Sequence, residues 1–116
     1  MARLGAMLTT EDVFTVASES PTPGVTVTIT ASSTAQLKIA RWTASQNTTV
    51  NLSGTPVQNA LLIVQITNDA VLPRVITFGT GFASTGVITG AASKVSTIFF
   101  VSNGTMVYEI ARAVGL

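Results

Sequence analysis

Hydrophobic positions alternate with hydroxyl-bearing positions along much of the chain, and this pattern predicts β-strands. The alternation is clearest in residues 24–30, where valine and isoleucine point to one side and threonine to the other. A similar two-residue period occurs in residues 47–52 and, over shorter stretches, in residues 12–17 and 74–78. Residues 33–42 fit a strand or a helix, because good helix formers share the segment with an alternating pattern, and we favour a strand.

The run 60–67 is apolar on both faces, since Leu61 and Ile63 lie opposite Leu62, Val64 and Ile66. A strand with two apolar faces is typical of the middle of a sheet, so we expect this strand to be central. The run ends at an Asn-Asp-Ala turn. Four glycines then fall within residues 79–90, which we interpret as a loop that carries a short strand near residues 87–88.

A β-hairpin is predicted in residues 94–112, where two apolar runs flank Asn103-Gly104. This dipeptide is well suited to a two-residue type I′ turn, because both central residues of that turn need a positive φ. The turn would pair Ser102 with Thr105 and Phe99 with Tyr108.

With that register, both faces of the hairpin are apolar. The face assigned to the core carries Val95, Thr97, Phe99, Val101, Met106, Tyr108 and Ile110. The opposite face carries Ile98, Phe100 and Val107 among polar residues. A free monomer seldom exposes such a patch, so we predict that a partner subunit, the N-terminal arm or a loop covers it.

Composition supports a β fold. The chain contains 19 Thr, 14 Val and 8 Ile, and these β-branched residues suit a sheet better than a helix. Short strands separated by Gly, Pro, Asn and Ser turns predict an all-β fold, namely an antiparallel β-sandwich of jelly-roll type. The length of 116 residues fits one domain. We assign residues 1–10 to an N-terminal arm and residues 11–116 to a single sandwich domain.

Charge is scarce, at 9% of residues and a net charge of +1, against about 25% charged residues in a typical soluble domain. This balance argues against nucleic-acid and membrane partners. No apolar run is long enough for a transmembrane helix, and the N-terminus does not resemble a secretory signal. Long uncharged stretches are better suited to an assembly whose neighbours cover them.

The absence of His and Cys rules out Ser/His/Asp and Cys/His catalytic relays and thiolate metal sites. The carboxylates are Glu11, Asp12, Glu19, Asp69 and Glu109. They form no Asp-rich cation loop, and the one adjacent pair points to opposite sides of a strand. Composition alone leaves a Ser/Lys dyad at Lys38 or Lys94 open. We expect no enzyme activity, no cofactor and no metal.

Two polar or aromatic side chains add to the candidate interface formed by Ile98, Phe100 and Val107. Trp42, the single tryptophan, could stack on a sugar, or it could be partly buried at a sheet edge or a subunit contact. The planar fork of Arg74 could donate hydrogen bonds to another subunit, or the side chain could be solvated.

Three segments of the second half of the chain carry a family resemblance. They are LLIVQITND at residues 61–69, PRVITFGTGF at residues 73–82 and STIFFVSNGTMVYEIAR at residues 96–112. Together they resemble a small β-module of tailed-bacteriophage virion proteins, in which a strand ends in an acidic turn and the last hairpin ends in an aromatic residue followed by Glu. Val107 departs from the pattern, because an aromatic residue is frequent beside the position of Tyr108.

The resemblance implies a role in the virion. Such modules occur in head decoration (cement) proteins and at fibre tips, commonly as trimers. We therefore expect a trimeric decoration protein that is made in the bacterial cytoplasm, binds the major capsid protein on the outer surface of the capsid and stabilises the assembled head. The alternative is a receptor-binding tip or another tail or neck protein, and the copy number per particle distinguishes the two.

Overall fold

The computed structural model describes residues 14–116, which contain strands and no helix. The strands are β1 (Val16–Glu19), β2 (Thr26–Thr30), β3 (Leu37–Ala44), β4 (Thr48–Ser53), β5 (Leu61–Asn68), β6 (Val75–Phe78), β7 (Phe82–Ala83), β8 (Ile88–Thr89), β9 (Val95–Ser102) and β10 (Val107–Ala113). The predicted arm at residues 1–10 lies outside the described residues.

The strands form two sheets. The six-stranded sheet has the order β1-β3-β5-β9-β10-β7, and the four-stranded sheet has the order β2-β4-β6-β8. From β1 to β6 the chain alternates between the sheets, so each turn adds one strand to each sheet, parallel to the strand before it. This arrangement is a β-solenoid-like stack. The all-β prediction is confirmed, and the antiparallel jelly-roll prediction is wrong.

The jelly-roll prediction failed because alternation reveals a strand but not its neighbour. Parallel and antiparallel strands have the same two-residue side-chain period, whereas a parallel pair needs a crossover connection. In this chain, a strand of the opposite sheet lies within each crossover. The coils also differ in length, with 21 residues from Val16 to Leu37, 24 from Leu37 to Leu61 and 28 from Thr48 to Ile76. Unequal coils leave no fixed repeat for the sequence to display.

The core lies between the two sheets and is formed by alternate side chains of both. Its fully buried members include Val27, Ile29, Val50, Val64, Ile98 and Phe100. The rings of Phe78, Phe82 and Phe100 pack together, with centroids 5.0–5.1 Å apart and tilted or edge-to-face geometry. Such geometry is favourable for aromatic rings because the positive edge of one ring meets the negative face of another.

Most strand predictions are confirmed. Residues 24–30 contain β2, and residues 47–52 contain all of β4 except its last residue, Ser53. Val27, Ile29 and Val50 point inward as predicted. Residues 60–67 overlap β5, which is central because it pairs with β3 on one side and with β9 on the other. Residues 33–42 contain most of β3, so the strand interpretation is confirmed over the helix.

The C-terminal hairpin exists, but its register differs from the prediction. Val107 pairs with Ser102, and a bulge between Glu109 and Ala111 shifts the rest of the pairing. The loop is therefore longer than the two residues of a type I′ turn. Gly104 has a φ of 92°, whereas Asn103 does not have a positive φ. The Asn103 side chain instead accepts hydrogen bonds from two backbone N–H groups that follow it, as in an Asx turn.

The two faces of the hairpin are the reverse of those predicted. Ile98 and Phe100 are 0% exposed and Val107 is 2% exposed, so these three candidate interface residues belong to the core. Tyr108 and Ile110, which were assigned to the core, are 42% and 59% exposed. Because both faces of β9 are apolar, alternation cannot choose between them. The register with β5 makes the choice, since it aligns the inward faces of the two strands.

Candidate interaction surface

The outward side of the six-stranded sheet is apolar over its centre. We call this surface the outer apolar face and define it as Leu37, Ile39, Leu61, Ile63, Phe99 and Val101. All six side chains are half-buried and have the opposite alternation to the core residues of their strands. Isolated surface apolar residues are common, but a contiguous apolar patch on a small domain usually marks an interaction site.

The strand register brings these side chains into rows. Ile39 pairs with Ile63, which pairs with Phe99 on the far side. The neighbouring row, two residues further along each strand, runs from Leu37 through Leu61 and Val101 to Tyr108, because the pairing continues into β10. Directly opposite residues in neighbouring strands have their Cβ atoms about 4.5–5.5 Å apart. The rows therefore form one continuous surface.

A polar row closes the outer apolar face at one end. The Arg41 Nε atom donates a hydrogen bond to Gln65 Oε1 at 3.0 Å, and Gln65 Nε2 donates to Thr97 Oγ1 at 3.3 Å. These three residues are paired across β3, β5 and β9. The row therefore sets a boundary between the apolar surface and the rest of the sheet.

The outward side of the four-stranded sheet has a different character. We call it the hydroxyl face and define it as Thr26, Thr28, Thr30, Thr49, Asn51 and Thr77. Thr26 pairs with Thr49, which pairs with Thr77, and the threonines are exposed. This face is polar and carries no charged side chain. The two outward faces of the molecule therefore differ in polarity.

Most charged side chains of the described residues neutralise one another. The ion pairs are Lys38 with Glu19, Arg74 with Asp69, and Arg112 with Glu109. Within residues 14–116, only Arg41 and Lys94 lack a carboxylate partner. Both large faces are therefore almost free of charge.

The Glu109 carboxylate, which is almost completely buried, fixes the loop after β7. It accepts hydrogen bonds from Arg112 Nη2 at 2.7 Å, Ser84 Oγ at 3.0 Å and the Thr85 N–H at 3.1 Å. Arg112 also donates to the Gly86 carbonyl at 2.9 Å. The hydrogen bond from Arg112 is the main reason that the pKa of Glu109 falls to about 2, and bonds from the loop add to it. This network is structural, because its donors and acceptors are all used within the chain.

Arg74 is also engaged within the chain. Its Nε and Nη2 atoms donate to the two Asp69 carboxylate oxygens at 3.1 and 2.7 Å. This bidentate hydrogen bonding lowers the pKa of Asp69. The neighbouring Asn68 accepts from the Arg74 N–H at 2.7 Å and donates to the Leu72 carbonyl at 2.6 Å. Arg74 therefore fixes the turn after β5, and its fork is occupied.

Trp42 points into the core from β3 and is 7% exposed. Its Nε1–H group is buried and has no hydrogen-bond acceptor among residues 14–116. The hypothesis that Trp42 stacks on a sugar is therefore wrong, because its ring faces are covered by the protein itself.

The structure does not bring the five candidate interface residues together on a surface. Ile98, Phe100, Val107 and Trp42 are core residues, and Arg74 holds a turn. The outer apolar face as a unit was not predicted from the sequence. Its signal was present in the second apolar side of residues 60–67, but the neighbours of that strand were unknown.

The described part of the chain contains no group of three or more acidic, His or Cys side chains placed to hold a metal ion. No helix long and apolar enough to cross a membrane occurs in residues 14–116. Comparisons with protein families, with curated proteins and with solved structures find no match.

Proposed function

We propose that this protein is a structural protein of a bacteriophage virion, a decoration protein that binds the assembled capsid as a homo-oligomer, with three copies as the resemblance implies. The observation that carries the proposal is the outer apolar face. A domain with a second apolar surface outside its core leaves that surface in contact with water when it is a single copy. Contact with a neighbouring protein removes the surface from water, so association is favoured.

The distribution of charge supports a role in a permanent assembly. Ion pairs within the chain neutralise three carboxylates, and the two broad faces carry no charge apart from Arg41 at the end of one of them. Such surfaces provide little long-range electrostatic steering, but they can be buried without the cost of desolvating charges. The major capsid protein is the proposed partner, and the outer surface of the capsid is the proposed location.

The proposed mechanism is preferential binding to the assembled shell. A protein that binds only the assembled state stabilises it by RT ln(1 + [L]/Kd), which is about 2.7 kcal/mol when the free concentration is 100 times Kd. A lattice repeats this contribution at every site, and an oligomer that touches several capsid subunits gains further from its multivalency. Individually modest contacts are therefore sufficient.

The proposal is tested with phage particles that lack this protein. We expect such particles to lose their genome at a lower temperature and to be less tolerant of low ionic strength than wild-type particles. Adding the purified protein should restore both properties. Mutant particles that are as stable as wild type would refute the proposed function.

Copy number separates this proposal from the alternative of a receptor-binding tip or another tail or neck protein. Quantitative mass spectrometry of purified particles should find hundreds of copies for a decoration protein, and a few or a few tens for a tail component. For the receptor-binding alternative, Trp42 is buried and cannot stack on a sugar, whereas Tyr108 is an exposed aromatic side chain that can. Glycan binding by the isolated oligomer, together with a low copy number, would favour it.

A further inference from the structure

We infer that the outer apolar face is the surface at which copies of this chain meet, so that each face is covered by the same face of another copy. This inference deepens the proposed function, on whose homo-oligomer it rests, by naming the surface and its occupant. It concerns the purified chain and can be tested without phage particles.

The chemistry of the face selects its partner. Aliphatic and aromatic side chains cover the two central rows, and the polar row of Arg41, Gln65 and Thr97 lies along one end. A matching surface must therefore be apolar at its centre, with polar and charged side chains only at its edge. The hydroxyl face of another copy does not match, because threonine and asparagine side chains cover it. The outer apolar face of another copy does match.

The area is large enough for a stable contact. The strands β3, β5 and β9 each contain 8 residues and β10 contains 7. With a strand spacing of about 4.8 Å and a rise of about 3.3 Å per residue, the whole outward side of these four strands covers about 500 Å², and the outer apolar face is its centre. Two such sides in contact, with the polar row and the outward residues of β10 included, bury about 1,000 Å², which is the lower bound for a specific interface. Tyr108 and Val16, both exposed and in the row of Leu61, extend this surface at its two sides.

Symmetry is consistent with this contact. When a patch meets the same patch directly on a second copy, the two copies are related by a twofold axis and the interface is closed. Three copies can instead point their faces at a common threefold axis, where each face contacts the faces of both neighbours and the ring closes through the rotation. In both arrangements the central side chain, Ile63, lies near its counterpart. The proposed trimer corresponds to the second arrangement.

The absence of cysteine from the chain allows a direct test. Ile63→Cys places a unique thiol at the centre of the outer apolar face, and Thr28→Cys places one on the hydroxyl face as a matched control. Treatment with a short bifunctional maleimide at low protein concentration should cross-link Ile63→Cys between copies and leave Thr28→Cys uncross-linked. Equal cross-linking of the two variants, or none at position 63, would overturn the inference.

Sedimentation provides a second test with charged variants. The wild-type chain should sediment as an oligomer, Ile63→Lys should need at least tenfold higher concentration to associate, and Thr28→Lys should behave as wild type. Circular dichroism establishes that each variant is folded, and if Ile63→Lys is unfolded the cysteine variants decide the question. A wild-type chain that remains a single copy at all concentrations would refute the inference.

Binding to capsids separates this inference from the proposed function. An oligomer that forms through the outer apolar face but binds no capsid would refute the proposed function and support the inference. A single-copy protein that binds capsids, and loses that binding in Ile63→Lys, would show that the capsid protein covers the face, contrary to the inference.

Discussion

Phe99 and Phe100 are consecutive, yet the structure assigns them to opposite sides of β9. Phe100 is 0% exposed and packs against the rings of Phe78 and Phe82. Phe99 is half-buried on the outer apolar face beside Ile63. Replacing each residue by alanine therefore removes the same atoms from two very different environments. We predict that Phe100→Ala destabilises the fold much more than Phe99→Ala does.

The expected magnitudes follow from burial. Truncating a fully buried phenylalanine to alanine costs about 3–5 kcal/mol, because it combines lost transfer free energy with a cavity. The two ring contacts of Phe100 favour the upper part of this range, since each edge-to-face pair adds about 0.5–1.5 kcal/mol beyond area. Phe99 is covered on one side only, so we expect its truncation to cost about 1 kcal/mol within a single copy.

Equilibrium unfolding in urea measures both effects, with the fluorescence of the buried Trp42 as the signal. The midpoint should fall for both variants while the slope m stays unchanged, because the surface exposed on unfolding is almost the same. The measurement is repeated at several protein concentrations, since the stability of an oligomer depends on concentration. Phe100→Leu serves as a milder variant if Phe100→Ala does not fold. A loss for Phe99→Ala at high dilution that equals or exceeds that for Phe100→Ala would refute the assignment of the two faces.

Three further predictions concern the network, a glycine and a turn. The free energy of unfolding should decrease as the pH falls from about 4.5 towards 2, because the pKa of Glu109 is lower in the folded state than in the unfolded state and the ionised carboxylate stabilises the fold at higher pH. For Glu109→Gln the free energy of unfolding should decrease less over the same pH range. An equal decrease in the two proteins would contradict the role of this carboxylate. Gly81→Ala should lower the free energy of unfolding, measured by heat or urea, by about 1–3 kcal/mol. Gly81 has a φ of +86°, and an added Cβ would lie 2.6 Å from the Leu52 Cβ. Gly24→Ala is the control and should change stability by less than about 1 kcal/mol, because Gly24 has no positive φ and an added Cβ there meets no such clash. Asn68→Ala should cost about 1–2 kcal/mol, because it removes the hydrogen bonds to the part-buried Leu72 carbonyl and Arg74 N–H in the turn after β5. Faster amide hydrogen exchange in that turn should accompany the loss.

Local pattern was a reliable guide where one face of a strand was clearly polar. In β2 and β4, threonine or asparagine alternates with valine, isoleucine or leucine, and the inward face follows from that contrast. The same reasoning failed for β9, because Ile98, Phe99 and Phe100 are all apolar and only pairing with β5 decides which of them face inward. The hairpin register failed for a related reason. Asn103-Gly104 suits a two-residue turn, but Val107 pairs with Ser102 on one side and with Phe82 of β7 on the other, and residues 103–106 form the loop.

The outer apolar face was also visible in the sequence only in part, and its completion depends on strand pairing. The second apolar side of residues 60–67 was visible in the sequence, and so was an excess of apolar side chains in the last hairpin. Whether these sets join into one patch depends on the order and register of β3, β5 and β9. In the structure they join, but through Phe99 and Val101 rather than Phe100 and Ile98.

The sequence by itself determined that this chain forms strands, that its core is aliphatic and aromatic, and that it has more apolar surface than one core can hide, because these properties depend on residue type and on a two-residue period. Only the tertiary structure decided that the strands stack in parallel coils and which apolar side of the last hairpin faces inward. Those features depend on contacts between residues far apart in the chain, such as Ile39 with Ile63 and Ile63 with Phe99. Side-chain alternation is the same for every possible neighbour, so it contains no information about which strands become partners.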